Sequence, residues 1–236
     1  MCNGNNCDPV ALLEFLNNCP VVPQGPIGTA PHSWATDVGG QQIADGLGLS
    51  RQRLSRADLC TLRDKGASPE KLFMSIMAWG GMKRDHGRLA WAQGPRGIWS
   101  ERVTAILTGQ LTRFQAYELF ANGDPIPGMG PAYYTKLIQF CQGGDNPFGY
   151  IMDQWTAKSI NLLTGVSMVV VNSANRVVPT NDANVYEHFC AAIDTFALEI
   201  GVDGHEFEKR IFSYGAQGRR PRGPWRQRVV DCWQAG

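Results

Sequence analysis

Start and stop signals for short helices recur along this chain of 236 residues. In most cases a Ser, Thr or Asp that can cap a helix precedes an amphipathic stretch, and a glycine often follows it. The signals predict helices over residues 56–65, 69–79, 101–107, 113–121, 131–141, 154–163, 183–200 and 204–213. Ser100 is the expected cap of the third, and only Ser167–Val171 has the composition of a strand. The fold class is therefore predicted to be all-α, mostly helical.

Composition excludes two other classes of protein. Hydrophobic residues make up 43% and charged residues 18%, which supplies a core and excludes intrinsic disorder. No run of about 18 apolar residues occurs, so no segment is long enough to span a bilayer. Met1–Asn6 lacks the basic start and apolar middle of a secretion signal. We expect a protein without membrane association that stays in the cytoplasm.

The cysteines indicate neither a disulfide framework nor a metal centre. There are seven, an odd number, with no CxxC pair and no regular spacing. The cluster Cys2, Cys7 and Cys19 fits none of the usual zinc spacings. We expect reduced thiols, no metal and no cofactor.

Charge is unevenly distributed although the net charge is only +1. Residues 51–103 hold eleven Lys or Arg against five acids, and residues 209–236 hold seven against Asp231 alone. Such basic blocks can contact a phosphate backbone, or they can pair with acidic segments inside the fold. The basic tail 209–236 includes Arg219, Arg220 and Arg222, which we take as candidate DNA contacts. Most of this tail is expected to be irregular, with Trp225 and Trp233 as anchors.

A glycine-rich turn lies between two of the predicted helices, in the sequence Pro127-Gly128-Met129-Gly130-Pro131. Glycines remove Cβ atoms and permit positive φ, so another backbone can approach closely. The free N–H groups of the turn, with the positive end of the next helix dipole, form a site suited to a phosphate. The alternative is a simple corner between two packed helices.

An apolar-Pro-Gly-apolar-Gly turn between helices, followed some twenty residues on by Tyr150-Ile151-Met152-Asp153, resembles the helix-hairpin-helix DNA glycosylases, and in particular their 8-oxoguanine-glycosylase-fold branch. The resemblance implies a single glycosylase-like unit over residues 1–236, with two helical lobes around a DNA-binding cleft. It places the helix-hairpin-helix at about 113–141 and the catalytic segment at about 150–164. Only Cys190 and Cys232 follow, too few for the iron–sulfur cluster of some relatives.

The resemblance assigns catalytic roles to Asp153 and Lys136. Cleavage of an N-glycosidic bond develops positive charge on the sugar, which a fixed carboxylate stabilises. Asp153 can also cap the helix that follows, and the two roles are compatible. The lysine of bifunctional members stands two residues after the second hairpin glycine, where this chain has Ala132, and Lys136 lies one turn further, roughly 6 Å along the axis. Lys136 is either the nucleophile or a phosphate or surface lysine.

The target base must be flipped into a pocket that stacks and hydrogen-bonds it. Trp34, Asp37 and Trp155 are the first candidates for that pocket. In size and motif layout the chain is similar to bacterial anti-phage glycosylases that remove α-glucosylated hydroxymethylcytosine from phage DNA, which is therefore the first candidate substrate. An 8-oxoguanine glycosylase and lyase is the second interpretation, and a non-catalytic DNA-binding module the third. The expected partner is double-stranded DNA with a modified base, without an obligate protein partner.

Overall fold

A computed structural model describes residues 7–21, 24–92, 97–143, 148–212 and 223–235. These residues contain thirteen α-helices and no strand. The helices are α1 Pro9–Asn18, α2 Pro31–Gly39, α3 Gln41–Gly46, α4 Arg56–Asp64, α5 Pro69–Trp79, α6 Arg84–Trp91, α7 Ile98–Leu107, α8 Arg113–Ala121, α9 Pro131–Cys141, α10 Gln154–Thr164, α11 Ala183–Glu199, α12 Gly204–Phe212 and α13 Pro224–Ala235. The all-α prediction is confirmed.

Capping residues begin several helices where the sequence predicted. Ser68 accepts a hydrogen bond from the Lys71 amide at the start of α5. Thr112 and Gln115 form a reciprocal capping box at the start of α8. Such caps satisfy N–H groups that have no partner inside the helix, which is why they mark helix starts reliably.

Elsewhere the helical prediction was wrong or incomplete. Ser100 lies inside α7, whose N-cap is Gly97. Helices α1, α2, α3 and α6 were not predicted, and the tail expected to be irregular forms α13. Ser167–Val171 forms no strand, only a single antiparallel bridge from Val171 to Val177. Prolines begin α1, α2 and α13, a first-turn preference that our prediction did not use there.

The chain divides into two compact units, as the expected two lobes require. The second unit, residues 24–149, contains α2–α9. Its core is aromatic: the Phe73 ring stacks on Trp99 with centroids 4.3 Å apart and on Trp91 at 6.1 Å. The Trp79 ring meets Phe140 of α9 edge-on at 5.0 Å. This core supports α9, the second helix of the predicted hairpin.

The first unit combines residues 1–23 with residues 150–236 and contains α1 and α10–α13. Helix α10 contacts α1, α11, α12 and α13. Ala157, Ile160 and Leu163 of α10 are buried in this packing. The Asp153 segment therefore begins a central helix of its unit.

A disulfide joins Cys7 to Cys232, which corrects the expectation of reduced thiols at these positions. The two Cα atoms are 5.7 Å apart although 225 residues separate them in sequence. Spacing rules consider cysteines that are near in sequence, so they miss a pair brought together by the packing of two distant helices. Within the described residues, Cys19, Cys60, Cys141 and Cys190 form no disulfide.

Membrane insertion finds no support in these helices. None of those formed by the described residues combines the length and the apolar character needed to cross a bilayer.

Candidate functional site

Helices α8 and α9, which the glycine turn connects, pack against each other within the second unit. Tyr134 of α9 is the centre of their contact: its ring stacks on Phe120 at 5.2 Å and meets Tyr117 edge-on at 5.1 Å. Burial raises the pKa of the Tyr134 phenol to about 12, so the ring stays neutral at any physiological pH. The two helices are thereby fixed at the ends that the glycine turn connects.

Gly128 shapes the turn through its backbone. Its φ is 78°, in the left-handed region that favours glycine. A Cβ at this position would lie 2.5 Å from the carbonyl oxygen of His86 in α6. The Met129 amide donates to the Ile126 carbonyl at 3.0 Å and closes the turn. Residue 128 must therefore be glycine for two independent reasons, its conformation and the close approach of α6.

Unsatisfied amides remain on the turn. Within the described part of the chain, the N–H groups of Gly128 and Gly130 donate to no other protein group. Gly130 is the N-cap of α9 and supplies no side-chain hydrogen bond to it, while Pro131 occupies the first turn. Free amides at the positive end of a helix dipole attract an anion. These features are compatible with the phosphate contact predicted from the sequence, which stays a prediction.

Helix α6, whose His86 backbone contacts Gly128, carries basic residues. Lys83 precedes α6 and is exposed, with no ion pair to a described acid. Arg84 instead bonds Asp37 at 2.5 Å, and Arg88 bonds Asp85 at 2.7 Å. Thus only part of the basic block 51–103 is available to a phosphate, because other members are neutralised by neighbouring acids.

The entry to the hairpin is held by Arg102, a residue that the sequence did not single out. Its guanidinium donates to the Asp124 carbonyl at 2.8 Å and lies 5.6 Å from the centre of the Phe120 ring. Burial lowers the pKa of Arg102, although the negative charges of Asp124 and Glu101 act in the other direction and raise it. A groove of about 840 Å³ opens beside it between α7 and α8. Since Glu101, Asp124 and Glu118 also line this groove, it is not suited to a phosphate.

Lys136 lies on α9 with its side chain directed back along the helix. Only 6% of the residue is exposed, and Nζ donates to the carbonyl oxygen of Ala132. Helical side chains tilt toward the N-terminus, which brings the amine one turn back from its own Cα. The amine therefore lies beside residue 132, the position that bears the lysine in the family pattern.

Gly80 provides the space for this lysine. A Cβ on Gly80 would lie 2.6 Å from Cδ and 3.0 Å from Cε of Lys136. The sequence marked this glycine only as the end of α5, because nothing in a one-dimensional pattern shows which side chain packs against it.

Asp153 caps α10 in the first unit and is half-buried. Its Oδ1 accepts hydrogen bonds from the amides of Trp155 at 2.8 Å and Thr156 at 3.3 Å. The Thr156 hydroxyl accepts in return from the Asp153 amide at 3.0 Å. Among the described residues, none donates to Oδ2. One carboxylate oxygen is thus held rigidly while the other remains available to a substrate.

The chain that leads into Asp153 is also fixed. The Tyr150 hydroxyl donates to Asp194 of α11 at 2.6 Å, and the Tyr150 carbonyl accepts from Tyr186 at 2.9 Å. Gly204 begins α12 directly against the Tyr150 hydroxyl, where no Cβ would fit. Sequence analysis missed these anchors because they come from helices far along the chain.

The predicted base-pocket residues do not all lie on open surface. Trp34 lies on helix α2, where it is 1% exposed and its indole donates to the Met82 carbonyl. The carboxylate of Asp37 is paired with Arg84. Trp155 is half-buried, and the Arg226 guanidinium lies 4.5 Å from its ring centre. Burial therefore argues against Trp34 as a stacking surface, whereas Trp155 keeps a partly exposed ring.

Three candidate DNA contacts in the basic tail, Arg219, Arg220 and Arg222, lie outside the described residues. They remain predictions from the sequence.

The structure thus defines a helical protein in which one unit contains two packed helices joined by a glycine turn and the other contains an aspartate that caps α10. A family model described as "Putative 8-oxoguanine DNA glycosylase OGG-like protein" matches residues 21–212. This chain belongs to that OGG-like family, because the match covers most of its length. No curated protein and no solved structure matches the chain.

Proposed function

We propose that this protein is a DNA N-glycosylase that flips a modified base out of the duplex and releases it, leaving an abasic site. The observation that carries the proposal is the state of Asp153. One oxygen is fixed by two backbone amides and the other is uncommitted among the described residues. A preorganised carboxylate of this kind stabilises the positive charge that develops on the sugar as the glycosidic bond breaks. Membership of the OGG-like family supports the same reaction.

Lys136 supplies the amine in this proposal. Its Nζ reaches the Ala132 carbonyl, so the displacement of one helical turn is offset by the length of the side chain. A neutral amine at this place attacks the sugar carbon C1′, and the base departs with the bonding electrons and takes up one amine proton. The ring C1′–O4′ bond then opens, the second amine proton passes to O4′, and an imine to the protein forms. Water then hydrolyses the imine. In a purely hydrolytic enzyme water would attack instead, and Lys136 would contact phosphate.

The hairpin turn of Gly128, Met129 and Gly130 contacts a phosphate of the DNA backbone in this proposal. Two free amides and the start of α9 supply the positive potential. Lys83 adds a mobile positive charge beside it. Arg219, Arg220 and Arg222 provide further backbone contacts.

Glucosylated hydroxymethylcytosine is the first candidate substrate, which would make the enzyme an antiviral defence against modified phage DNA. It rests on the likeness in size and motif layout to anti-phage glycosylases. The alternative, 8-oxoguanine in base excision repair, is favoured by the description of the family itself.

Mass spectrometry of released bases tests the proposal. The protein is incubated with matched duplexes that contain glucosylated hydroxymethylcytosine, unglucosylated hydroxymethylcytosine, 8-oxoguanine or unmodified cytosine. Release of the glucosylated base alone supports the antiviral activity, and release of 8-oxoguanine alone supports repair. Binding of every duplex without release of any base would leave a non-catalytic DNA-binding module.

A further inference from the structure

Two helices lie outside the region that defines the family. The family match covers residues 21–212, whereas α1 ends at Asn18 and α13 begins at Pro224. The disulfide between Cys7 and Cys232 links the segments that carry these two helices. The family region is therefore flanked by two elements that are covalently joined to each other.

The flanking helices contact each other through a few side chains. Phe15 of α1 lies 6.5 Å from Trp225 of α13 between ring centroids. The Arg228 guanidinium covers the Phe15 ring at 4.5 Å. Leu16 and Val229 are each 1% exposed. The disulfide thus joins two segments that also contact each other through apolar side chains.

Both flanking helices contact α10. The Trp225 indole donates to the Ser159 hydroxyl at 2.9 Å, and both side chains are buried. Lys158 places its ammonium 4.9 Å from the centre of the Trp233 ring. At the other end of α10, Pro9 of α1 lies against Gly165. Helices α1 and α13 therefore both pack against α10, the helix that Asp153 caps.

One contact leads directly to the carboxylate. The Arg226 guanidinium lies between two rings, 4.5 Å from the centre of Trp155 and 4.6 Å from that of Phe212, and its Nε donates to the Phe212 carbonyl at 2.7 Å. Trp155 in turn donates its amide to Oδ1 of Asp153 at 2.8 Å. Arg226 thereby immobilises the residue whose backbone holds the carboxylate.

We propose that the disulfide-linked pair α1 and α13 is a redox-sensitive clamp that positions Asp153, with Arg226 as its positioning residue. The proposal rests on the proposed function, in which Asp153 stabilises the sugar cation. A dithiol reductant such as dithiothreitol converts the disulfide to two thiols and is itself oxidised to a cyclic disulfide, which balances the exchange. Loss of the bond frees α13 to separate from α10, and the amides that hold the carboxylate lose their rigid setting.

The test compares the full chain in three forms: oxidised, reduced with dithiothreitol, and Cys7→Ser/Cys232→Ser. Cys19→Ser serves as the matched control, since Cys19 is a free thiol. A gain of two hydrogens in intact mass reports reduction. Hydrogen exchange then reports the amides of Trp155 and Thr156, and single-turnover base release is measured beside the Kd for DNA.

The clamp predicts faster exchange of these two amides, by about tenfold or more, in the reduced and double-variant proteins. The single-turnover rate falls at least about tenfold, because small misplacements of a catalytic group lower rates strongly. The Kd for DNA rises much less than the rate falls, since the hairpin lies in the other unit and only the basic tail before α13 lies in this one. Arg226→Ala reproduces these changes with the disulfide intact, and Arg226→Lys partly restores protection.

Equal protection of the Trp155 and Thr156 amides in oxidised and reduced protein would overturn the clamp. So would a parallel loss of rate and DNA affinity, which indicates global destabilisation rather than positioning. The exchange measurement does not require catalysis. A protein that releases no base in any form therefore contradicts the proposed function, while amide exchange still decides the clamp.

Discussion

The hairpin turn and the Asp153 segment are built on different physical constraints. The backbone determines the shape of the turn, because Gly128 has a φ of 78° and lies against the His86 carbonyl. The groups that the turn offers to a ligand are main-chain amides. At Asp153 the group offered to a ligand is a side chain, and its carboxylate is oriented by the hydrogen bonds with which it caps α10. The main-chain turn and the capped carboxylate therefore depend on different interactions and lie in different units of the chain. Mutations should therefore separate affinity from rate.

Substitution of Lys136 should have the largest effect. This lysine lies in the same unit as the hairpin turn, yet we propose that it takes part in the reaction. Borohydride added during turnover should trap wild-type protein on DNA by reducing the imine, and Lys136→Gln should abolish the trapped band. The measurement is denaturing electrophoresis with labelled DNA.

Lys158→Gln is the control for this experiment, because burial lowers the pKa of Lys158, which makes it a second candidate amine. Trapping that survives in Lys136→Gln and disappears in Lys158→Gln would move the amine to α10. Absence of trapping in the wild type would make water the nucleophile.

Gly128→Ala should weaken DNA binding and leave the Asp153 carboxylate unchanged. A non-glycine residue at positive φ is strained by about 1–3 kcal/mol, and the new Cβ would contact the His86 carbonyl. We expect a lower Tm and a Kd for DNA that is raised by about tenfold or more, measured by differential scanning fluorimetry and fluorescence anisotropy.

Gly130→Ala is the matched comparison within the same turn. Gly130 has a φ of −112°, and nothing lies within 4 Å of an added Cβ. Its Tm should stay close to that of the wild type. Equal Tm losses in the two variants would show that the close approach of α6 to Gly128 does not shape the turn.

Lys83→Gln is expected to have the smallest effect. An exposed lysine beside a phosphate site contributes one counterion, so affinity should fall a few-fold on every sequence and the salt slope should decrease by about one. Titrations at several salt concentrations measure both quantities. Lys65→Gln, an exposed lysine after α4, should change neither. An unchanged slope in Lys83→Gln would place its charge outside the DNA interface.

Local signals in the sequence predicted the hairpin and the cap well. The Pro-Gly-x-Gly turn, the Thr112 capping box and the position of Asp153 before α10 each depend on residues within a few positions of one another. Such features can be predicted without knowledge of the fold, because their hydrogen bonds are local.

Features that depend on distant residues could not be predicted. Trp34 has the composition of a stacking residue, yet the core of its unit buries it against Gly87 and Met82. The Cys7–Cys232 bond joins residues that are 225 positions apart. The Lys136 side chain reaches back to the Ala132 carbonyl because it lies on a helix and because Gly80 leaves space for it. In each case tertiary packing determines the environment, and a pattern along the chain does not contain it.

Asp153→Asn tests the central claim most directly, with base release and DNA binding measured on the same preparation. Asparagine caps helices about as well as aspartate, so the fold of α10 should persist and the Tm should change little. The account predicts single-turnover release that is slower by about 10²–10³-fold, as for the loss of one preorganised electrostatic group, with a Kd within about twofold of the wild type. Release at the wild-type rate by this variant would contradict the account.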